Sequence, residues 1–346
     1  MFFVINVGLV GYGLAGSVFH APLIGSVPEL RLSKVVTSRR DQIAKDLPGV
    51  AAVPDINNVL ADPLIDLLVI ASPSAYHFEH ATAALHAGKH VVVDKPFATS
   101  AREAGELIAL AESQGLILSV FQNRRWDGDY LTARHCIEQG WLGKVFHYEV
   151  HFDRFRPQIK AGWREEPGPG AGILYDLGAH LIDQSIHLFG MPQAVTADII
   201  AQRATAKVED YFHLVLDYAS LRVILHSGTL VPHPGPRFTV HGNGGSFLKY
   251  GLDGQEDALK QGLRPGEQQW GADQPEYYGE LAPAGGVTRK VETLRGEYQK
   301  YYELLADCLL TGTPPPVDAH DSRDGLVVIE AAQRSAAERR TVEINA

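Results

Sequence analysis

Lys95 closes an apolar run, Val91-Val92-Val93, in the context Asp94-Lys95-Pro96. Such a run reads as a buried parallel strand, and the ligands of parallel sheets sit outside the carboxyl ends of their strands. A lysine in that place can take up and release a proton. Burial beside a second positive charge would lower its pKa toward the range of a general base. Pro96 cannot continue a ladder and fixes a turn, cis or trans. The plainer reading is an ordinary charged strand end. A second group with acid–base types is Tyr175-Asp176-Leu177-Gly178-Ala179-His180-Leu181-Ile182-Asp183. On a helix, Asp176 and His180 share one face, and Leu177, Leu181 and Leu188 form a neighbouring apolar stripe. The pair could hold a hydroxyl and relay its proton. By residue type, Asp176, His180 and Asp183 could instead hold a metal ion. A hydrogen-bonded pair with no catalytic role is a third reading. The glycines of 168–172 leave the preceding chain free to approach a ligand.

The partner for this chemistry is written near residue 10. Val7-Gly8-Leu9-Val10-Gly11-Tyr12-Gly13-Leu14-Ala15-Gly16 ends an apolar run and opens a helix-like stretch. This is the Gly-x-Gly-x-x-Gly fingerprint of dinucleotide binding in its required strand–turn–helix context. Gly11 makes the tight turn, Gly13 lets the backbone approach a pyrophosphate, and Gly16 lets the helix pack close to the strand. Tyr12 and Leu14 complete the cofactor-binding turn. The unsatisfied N–H groups and the positive dipole end of the helix face the phosphates. At the end of the second strand an acidic residue usually binds the ribose hydroxyls. Here that place reads Thr37-Ser38-Arg39-Arg40. A hydroxyl and guanidinium groups suit a ribose 2′-phosphate, which a carboxylate would repel. Ser38 and Arg39 therefore point to NADP(H) over NAD(H), against the bland alternative of solvated arginines opening a helix. An oxidised nicotinamide would supply the positive charge beside Lys95. Lysine and dinucleotide together account for the chemistry, so no metal is expected.

The chain has 346 residues, 45% of them hydrophobic, enough for two domains with their own cores. A net charge of −10 without a long basic run argues against nucleic acid and anionic membranes as partners. Cys136 and Cys308 offer neither metal-ligand spacing nor a disulfide framework, which fits a reducing cytoplasm. The first nineteen residues carry no charge, but four glycines in a turn pattern and no basic start mark a strand and helix, not a signal peptide.

Over residues 1–121, apolar strands alternate with helices. Strands are expected at Val4–Val10, Leu30–Thr37, Val50–Val53, Leu67–Ile70, Val91–Val93 and Leu116–Val120. Helices are expected near Ala15–Gly25, Asp41–Leu47, Ile56–Ala61, His77–Ala87 and Ala101–Ser113. This order predicts an α/β Rossmann domain, a doubly wound parallel sheet with right-handed crossovers. Residues 122–346 predict an α/β domain with a large open, mainly antiparallel sheet, for substrate binding and oligomerisation. Its helix near Leu131–Gln139 precedes alternating strands at Val145–Phe152, Ala194–Ala201, Tyr211–Tyr218, Leu221–Thr229 and Arg237–His241. The polar, Gly/Pro-rich stretch from Leu252 to Gly286 reads as loop. Late helices near Glu297–Leu310 and Ser322–Glu338 are separated by Thr313-Pro314-Pro315-Pro316. The last could pack back on the first domain.

Together these clusters resemble the Gfo/Idh/MocA oxidoreductase family over essentially the whole chain. The family's Glu-Lys-Pro appears as Asp94-Lys95-Pro96. Its nicotinamide-side motif, usually with Asn, appears as Ser72-Pro73-Ser74-Ala75-Tyr76-His77. The Asp and His four apart in its inositol dehydrogenases match Asp176 and His180. Phe19-His20-Ala21-Pro22, Asn123-Arg124-Arg125-Trp126-Asp127 and His151-Phe152-Asp153-Arg154-Phe155-Arg156-Pro157 are similar to the bacterial NADP-dependent scyllo-inositol dehydrogenase branch. The resemblance implies catalysis by Lys95 with Asp176 and His180, and cofactor contacts from Ser72, Pro73, Ser74, His77 and Asp94. It implies substrate contacts from Asn123, Arg124, Phe152, Asp153, Arg156, Trp163 and His180, and a homodimer or higher oligomer through the second sheet. The substrate would be a cyclic polyol or its ketone. Two alternatives stand beside it: a related enzyme of a monosaccharide or anhydro-sugar, and a non-enzymatic NADP(H) sensor on the same fold.

Overall fold

The computed structural model describes residues 4–160 and 162–344. The chain forms two compact units. The first comprises the chain up to Asn123 with Gln255–Trp270 and Glu297–Arg323, and the second comprises Arg124–Gly254, Gly271–Gly296 and the chain from Asp324.

In the first unit, β1 (Ile5–Val10), β2 (Leu30–Val36), β3 (Ala51–Val53), β4 (Leu67–Ile70), β5 (His90–Val93) and β6 (Leu118–Val120) form one sheet in the order β3-β2-β1-β4-β5-β6. Every neighbour pair is parallel. All of β4 and Val91–Val93 of β5 are buried, as strands covered on both faces must be. The order reverses beside β1 and β4, and ligands of such sheets bind at that switch point. The expected doubly wound sheet is present. The helix Ala101–Ser113 starts where the Ser100 hydroxyl accepts the Glu103 N–H at 3.2 Å.

The expectation of loop from Leu252 to Gly286 is corrected. That stretch carries a helix, Gln255–Lys260, and a strand, Gly279–Pro283. It also contributes the buried side chains Leu259, Trp270 and Leu281. In the first unit the Trp270 indole donates to Gln299 at 2.8 Å, at the start of the helix Gln299–Thr311. Tyr298, Tyr301 and Tyr302 are fully buried around that helix start. The Tyr301 hydroxyl donates to Ser119 of β6 at 3.0 Å.

In the second unit, nine strands form a mixed sheet: β7 (Val145–His151), β8 (Ala194–Ile200), β9 (Tyr211–Tyr218), β10 (Leu221–Gly228), β11 (Phe238–Gly242), β12 (Gly245–Lys249), β13 (Gly279–Pro283), β14 (Arg289–Val291) and β15 (Val342–Glu343). Their order is β14-β13-β12-β11-β7-β10-β9-β8-β15. Only β7 and β10 pair in parallel; the other neighbours are antiparallel. Burial alternates along β9 and β10, with Phe212, Leu214, Leu216, Val223 and Leu225 inside and their strand neighbours on an open face. β12 to β14 went unread because they are short and half-exposed; Glu280 and Lys290 pair across that edge at 3.1 Å. No helix among the described residues is long and apolar enough to cross a membrane.

Candidate active site

The fingerprint turn caps the carboxyl end of β1. Gly11 has φ +97°, and its N–H donates to Val36 of β2 at 3.0 Å. A Cβ there would stand 2.6 Å from the Ala71 carbonyl oxygen, so the turn passes directly over the end of β4. At Gly16 a Cβ would overlap the Gly11 carbonyl oxygen, which is the close helix–strand packing the third glycine serves. Gly13 differs. Its φ lies outside the left-handed region, and a Cβ would meet no protein atom within 4 Å. Neither strain nor packing asks for glycine there; open space at a helix start is the cradle a pyrophosphate needs. These residues fit a dinucleotide. The helix opens as a π-helical turn, Ala15–His20, and continues as Ala21–Ile24. Such widened turns are frequent at functional sites.

Ser38 and Arg39 are exposed just beyond β2. Arg39 Nη1 donates to the Tyr12 carbonyl at 3.1 Å, so the guanidinium braces the fingerprint turn. That contact uses one of the five donors of its fork. Tyr12 itself is buried, and burial followed by nearby Asp46 pushes its phenol up.

His77 joins the ends of β4 and β5. Its Nε2 lies 2.8 Å from the Ser72 carbonyl and its Nδ1 2.8 Å from the Pro96 carbonyl. Burial pushes its pKa down, against the pull of Asp94. The Ser72–Ser74 turn and the Lys95–Pro96 turn are thereby held to each other. The Lys95–Pro96 peptide is cis, and Lys95 is half-buried. Asp94 accepts the Lys95 N–H at 2.8 Å and lies 3.8 Å from His20 Nε2. Burial pushes the Asp94 carboxyl up, but His20, Lys95 and His77 outweigh it, and the net pKa is lowered. His20 Nδ1 is 2.6 Å from the Tyr302 hydroxyl, and its ring packs on Phe121 at 4.4 Å. A buried line from Tyr302 through His20 to Asp94 thus stands behind Lys95. The residues alone did not reveal it, because Tyr302 lies far along the chain. The Phe19-His20-Ala21-Pro22 match was its one trace.

In the second unit, Asp176 lies in a π-helical turn, Leu174–Gly178, and His180 in the α-helix Ala179–Phe189 that follows. The assumption of a regular helix under both residues is therefore corrected: the turn is widened at Asp176. The Asp176 carboxylate meets Arg164 Nε at 3.2 Å, while His180 is buried. Gly172 has φ +87°, a left-handed backbone that favours glycine. Asp183 forms a bidentate pair with Arg125 at 2.9 and 2.8 Å, both side chains buried. Gln184 donates to the Arg124 carbonyl at 2.7 Å. These bonds dock the His180 helix onto Arg124 and Arg125 of the same unit. With Asp183 held by Arg125 and Asp176 by Arg164, the set Asp176, His180 and Asp183 is not assembled around an ion.

Arg125→Ala would strip a guanidinium from a buried carboxylate, which costs about 3–5 kcal/mol. A large drop in melting temperature, read by circular dichroism, is expected. A change of only a degree or two would mean that the pair does not anchor this helix.

The remaining sequence candidates separate. Phe152 is buried under three guanidiniums, Arg124, Arg154 and Arg237, at 4.9, 4.9 and 4.8 Å from its ring. Arg124 also pairs with Asp127 at 3.3 Å. Asp153 contacts His151 and His226. Arg156 and Trp163 are exposed, with the Arg164 guanidinium 4.5 Å from the Trp163 ring. Arg237, which pairs with Asp129 at 3.1 Å, was not singled out from sequence.

Residues 5–122 match the family described as oxidoreductase family, NAD-binding Rossmann fold, and residues 134–344 match its C-terminal alpha/beta domain. The chain is 46% identical over 341 residues to scyllo-inositol 2-dehydrogenase (NADP(+)) IolW of Bacillus subtilis (strain 168), covering 98% of this chain and 95% of that protein. It is also 46% identical to the oxidoreductase YdgJ of Escherichia coli (strain K12), covering 98% of both. The solved structure of the oxidoreductase YvaA from Bacillus subtilis superposes with a TM-score of 0.97 at 44% identity, covering 100% of this chain and 99% of that one.

Proposed function

Because the chain belongs to the Gfo/Idh/MocA oxidoreductase family, we propose that it is an NADP(H)-dependent dehydrogenase of a cyclic polyol, of the scyllo-inositol and inosose class. The observation that carries this reading is the full-length likeness to an NADP(+)-dependent scyllo-inositol 2-dehydrogenase. A dinucleotide held by the turn of Gly11, Gly13 and Gly16 would supply a nicotinamide as the hydride acceptor in oxidation of a carbinol and as the hydride donor in reduction of the ketone. Lys95, where β5 ends at the switch-point side of the sheet, takes the hydroxyl proton at Nζ and in reduction gives it back to the carbonyl oxygen. Asp94 and the turn locked by His77 fix the backbone from which Lys95 projects. His180 shares the proton, and Asp176 orients His180 or the substrate. Arg124, one of the guanidiniums that cover Phe152, is the substrate contact this reading favours, with Phe152 holding it from beneath, and dimerisation would use the open face of the nine-stranded sheet.

Turnover of a panel of inositols, inososes, aldoses and anhydro-sugars tests the substrate class. Enzymes discriminate through kcat/KM ratios, so an aldose or anhydro-sugar preferred by more than about tenfold over every inositol overturns it.

The cofactor preference rests on Ser38 and Arg39. A charge-assisted hydrogen bond contributes about 1.5–3 kcal/mol, so removing one raises the KM for NADP by roughly 10–100-fold. Ser38→Asp with Arg39→Ala should do this and lower the KM for NAD, since a carboxylate accepts from ribose hydroxyls. Ser38→Asp alone controls for the Arg39 brace on Tyr12. Wild-type kcat/KM already higher with NAD than with NADP would refute the reading of this strand end.

A further inference from the structure

We propose that His151, Asp153 and His226 form a binding site for a divalent transition-metal ion of the zinc class on the open face of the nine-stranded sheet. The sheet itself assembles the three residues. β7 and β10 pair in parallel with His226 opposite His151, and β9 adds His213 opposite His226. Asp153 follows His151 by two residues, and two-residue periodicity returns its side chain to the same face. His Nδ1 of residue 151 is 3.1 Å from one Asp153 oxygen, and His226 Nδ1 is 2.9 Å from the other. One ligand atom from each of the three lies within 4.8 Å of the others, the only such His/Cys/Asp/Glu group among the described residues. A tetrahedral ion bound at about 2.0–2.2 Å holds its ligand atoms about 3.4 Å apart, close to the two nitrogen–oxygen distances, while the widest separation, within 4.8 Å, would close on binding.

Both nitrogens of His151 face carboxylate oxygens, Nδ1 toward Asp153 and Nε2 toward Glu149 at 2.7 Å. A neutral imidazole has one N–H. An imidazolium would donate to both carboxylates; a neutral ring with its Nε2–H on Glu149 would turn the Nδ1 lone pair toward Asp153, the orientation a cation between them would use. A carboxylate that fixes the tautomer of a ligating histidine from behind is the usual support of a metal site. Glu149 would be that support, and it also lies 3.0 Å from His147 Nε2. In the single chain the ligands are mostly covered, with side-chain exposures of 26%, 3% and 14% for His151, Asp153 and His226, and a second chain packed on this face would shield them further. Two neutral imidazoles with one carboxylate suit zinc-class ions over magnesium or calcium, which prefer all-oxygen ligands. The fourth position is left to water or, where two chains pack through this face, to a group of the second chain. The competing arrangement has a proton in place of the ion, with Asp153 serving only as acceptor for the two histidines and the Gly228 N–H at 2.9 Å.

Tag-free, chelator-treated protein at fixed neutral pH would be titrated with Zn²⁺ by calorimetry and with Co²⁺ by visible absorption. One Zn²⁺ per chain and Co²⁺ ligand-field bands without a thiolate charge-transfer band are expected. His226→Gln and His151→Asn should abolish stoichiometric uptake, while His241→Gln should not change it. Glu149→Gln should weaken it by about 10–100-fold. No uptake by folded wild type at micromolar Zn²⁺ overturns the proposal, as does unchanged uptake by folded His226→Gln. A thiolate band would place the ion at Cys136 or Cys308 and overturn it too. Should one variant fail to fold, the other variant and the wild-type Co²⁺ spectrum still decide.

Discussion

Lys95→Ala lowers kcat for reduction of a keto-inositol by about 10²–10⁴-fold, the range for loss of a positioned acid–base group. NADPH affinity stays within a few-fold of wild type, because the glycine turn and Arg39 lie on other strand ends. The local structure makes this a test of chemistry over folding. The Lys95 backbone is fixed by Asp94 and by the His77 bridge to Pro96, neither of which uses the lysine side chain. His180→Ala also lowers kcat. If the two residues act on one substrate oxygen, the double variant loses less than the product of the single losses. A structural lysine predicts the opposite pattern: a lower melting temperature with near-normal turnover in the folded fraction. Melting temperature is therefore recorded beside kcat, and a Lys95→Ala enzyme within a few-fold of wild type ends the proposed mechanism.

The parts of this site that were legible in the sequence are those encoded locally. β4 and β5 are continuous apolar runs, and an apolar run followed by Asp-Lys-Pro needs no partner to be recognised. The glycine spacing of 11, 13 and 16 likewise carries its own geometry. What could not be read depends on chain segments meeting. Tyr302 stands behind His20 and Asp94 because a late helix returns to the first unit. Asp183 looks like a ligand in sequence and is the buried partner of Arg125 in space. Asp153 sits in a motif that suggested substrate contact, yet the β7–β10 pairing gives it two histidines from different strands. The short strands β12 to β14 failed for another reason. Three to five residues with one exposed face give too few alternations to separate a strand from a polar loop.

Gly13→Val abolishes NADPH binding and leaves the protein folded, whereas Gly16→Val damages the fold itself. The two glycines sit three residues apart in one motif, but their surroundings differ. At Gly16 any Cβ overlaps the backbone oxygen of Gly11, which cannot move without opening the turn. Overpacking of that kind costs about 1–3 kcal/mol, so the Gly16 variant should melt earlier whether or not cofactor is present. At Gly13 the backbone lies outside the left-handed region, so valine is not strained there, and its side chain enters space that holds no protein atom. The loss falls on the ligand. A pyrophosphate kept off the turn forfeits charge-assisted bonds to backbone N–H groups, each contributing about 1.5–3 kcal/mol. Losing two of them weakens NADPH by at least about 10²-fold. Calorimetric titration of each variant with NADPH, beside a melting curve without it, separates the effects. Wild-type affinity in a folded Gly13→Val protein would mean that the open space beside this glycine is not where the dinucleotide binds.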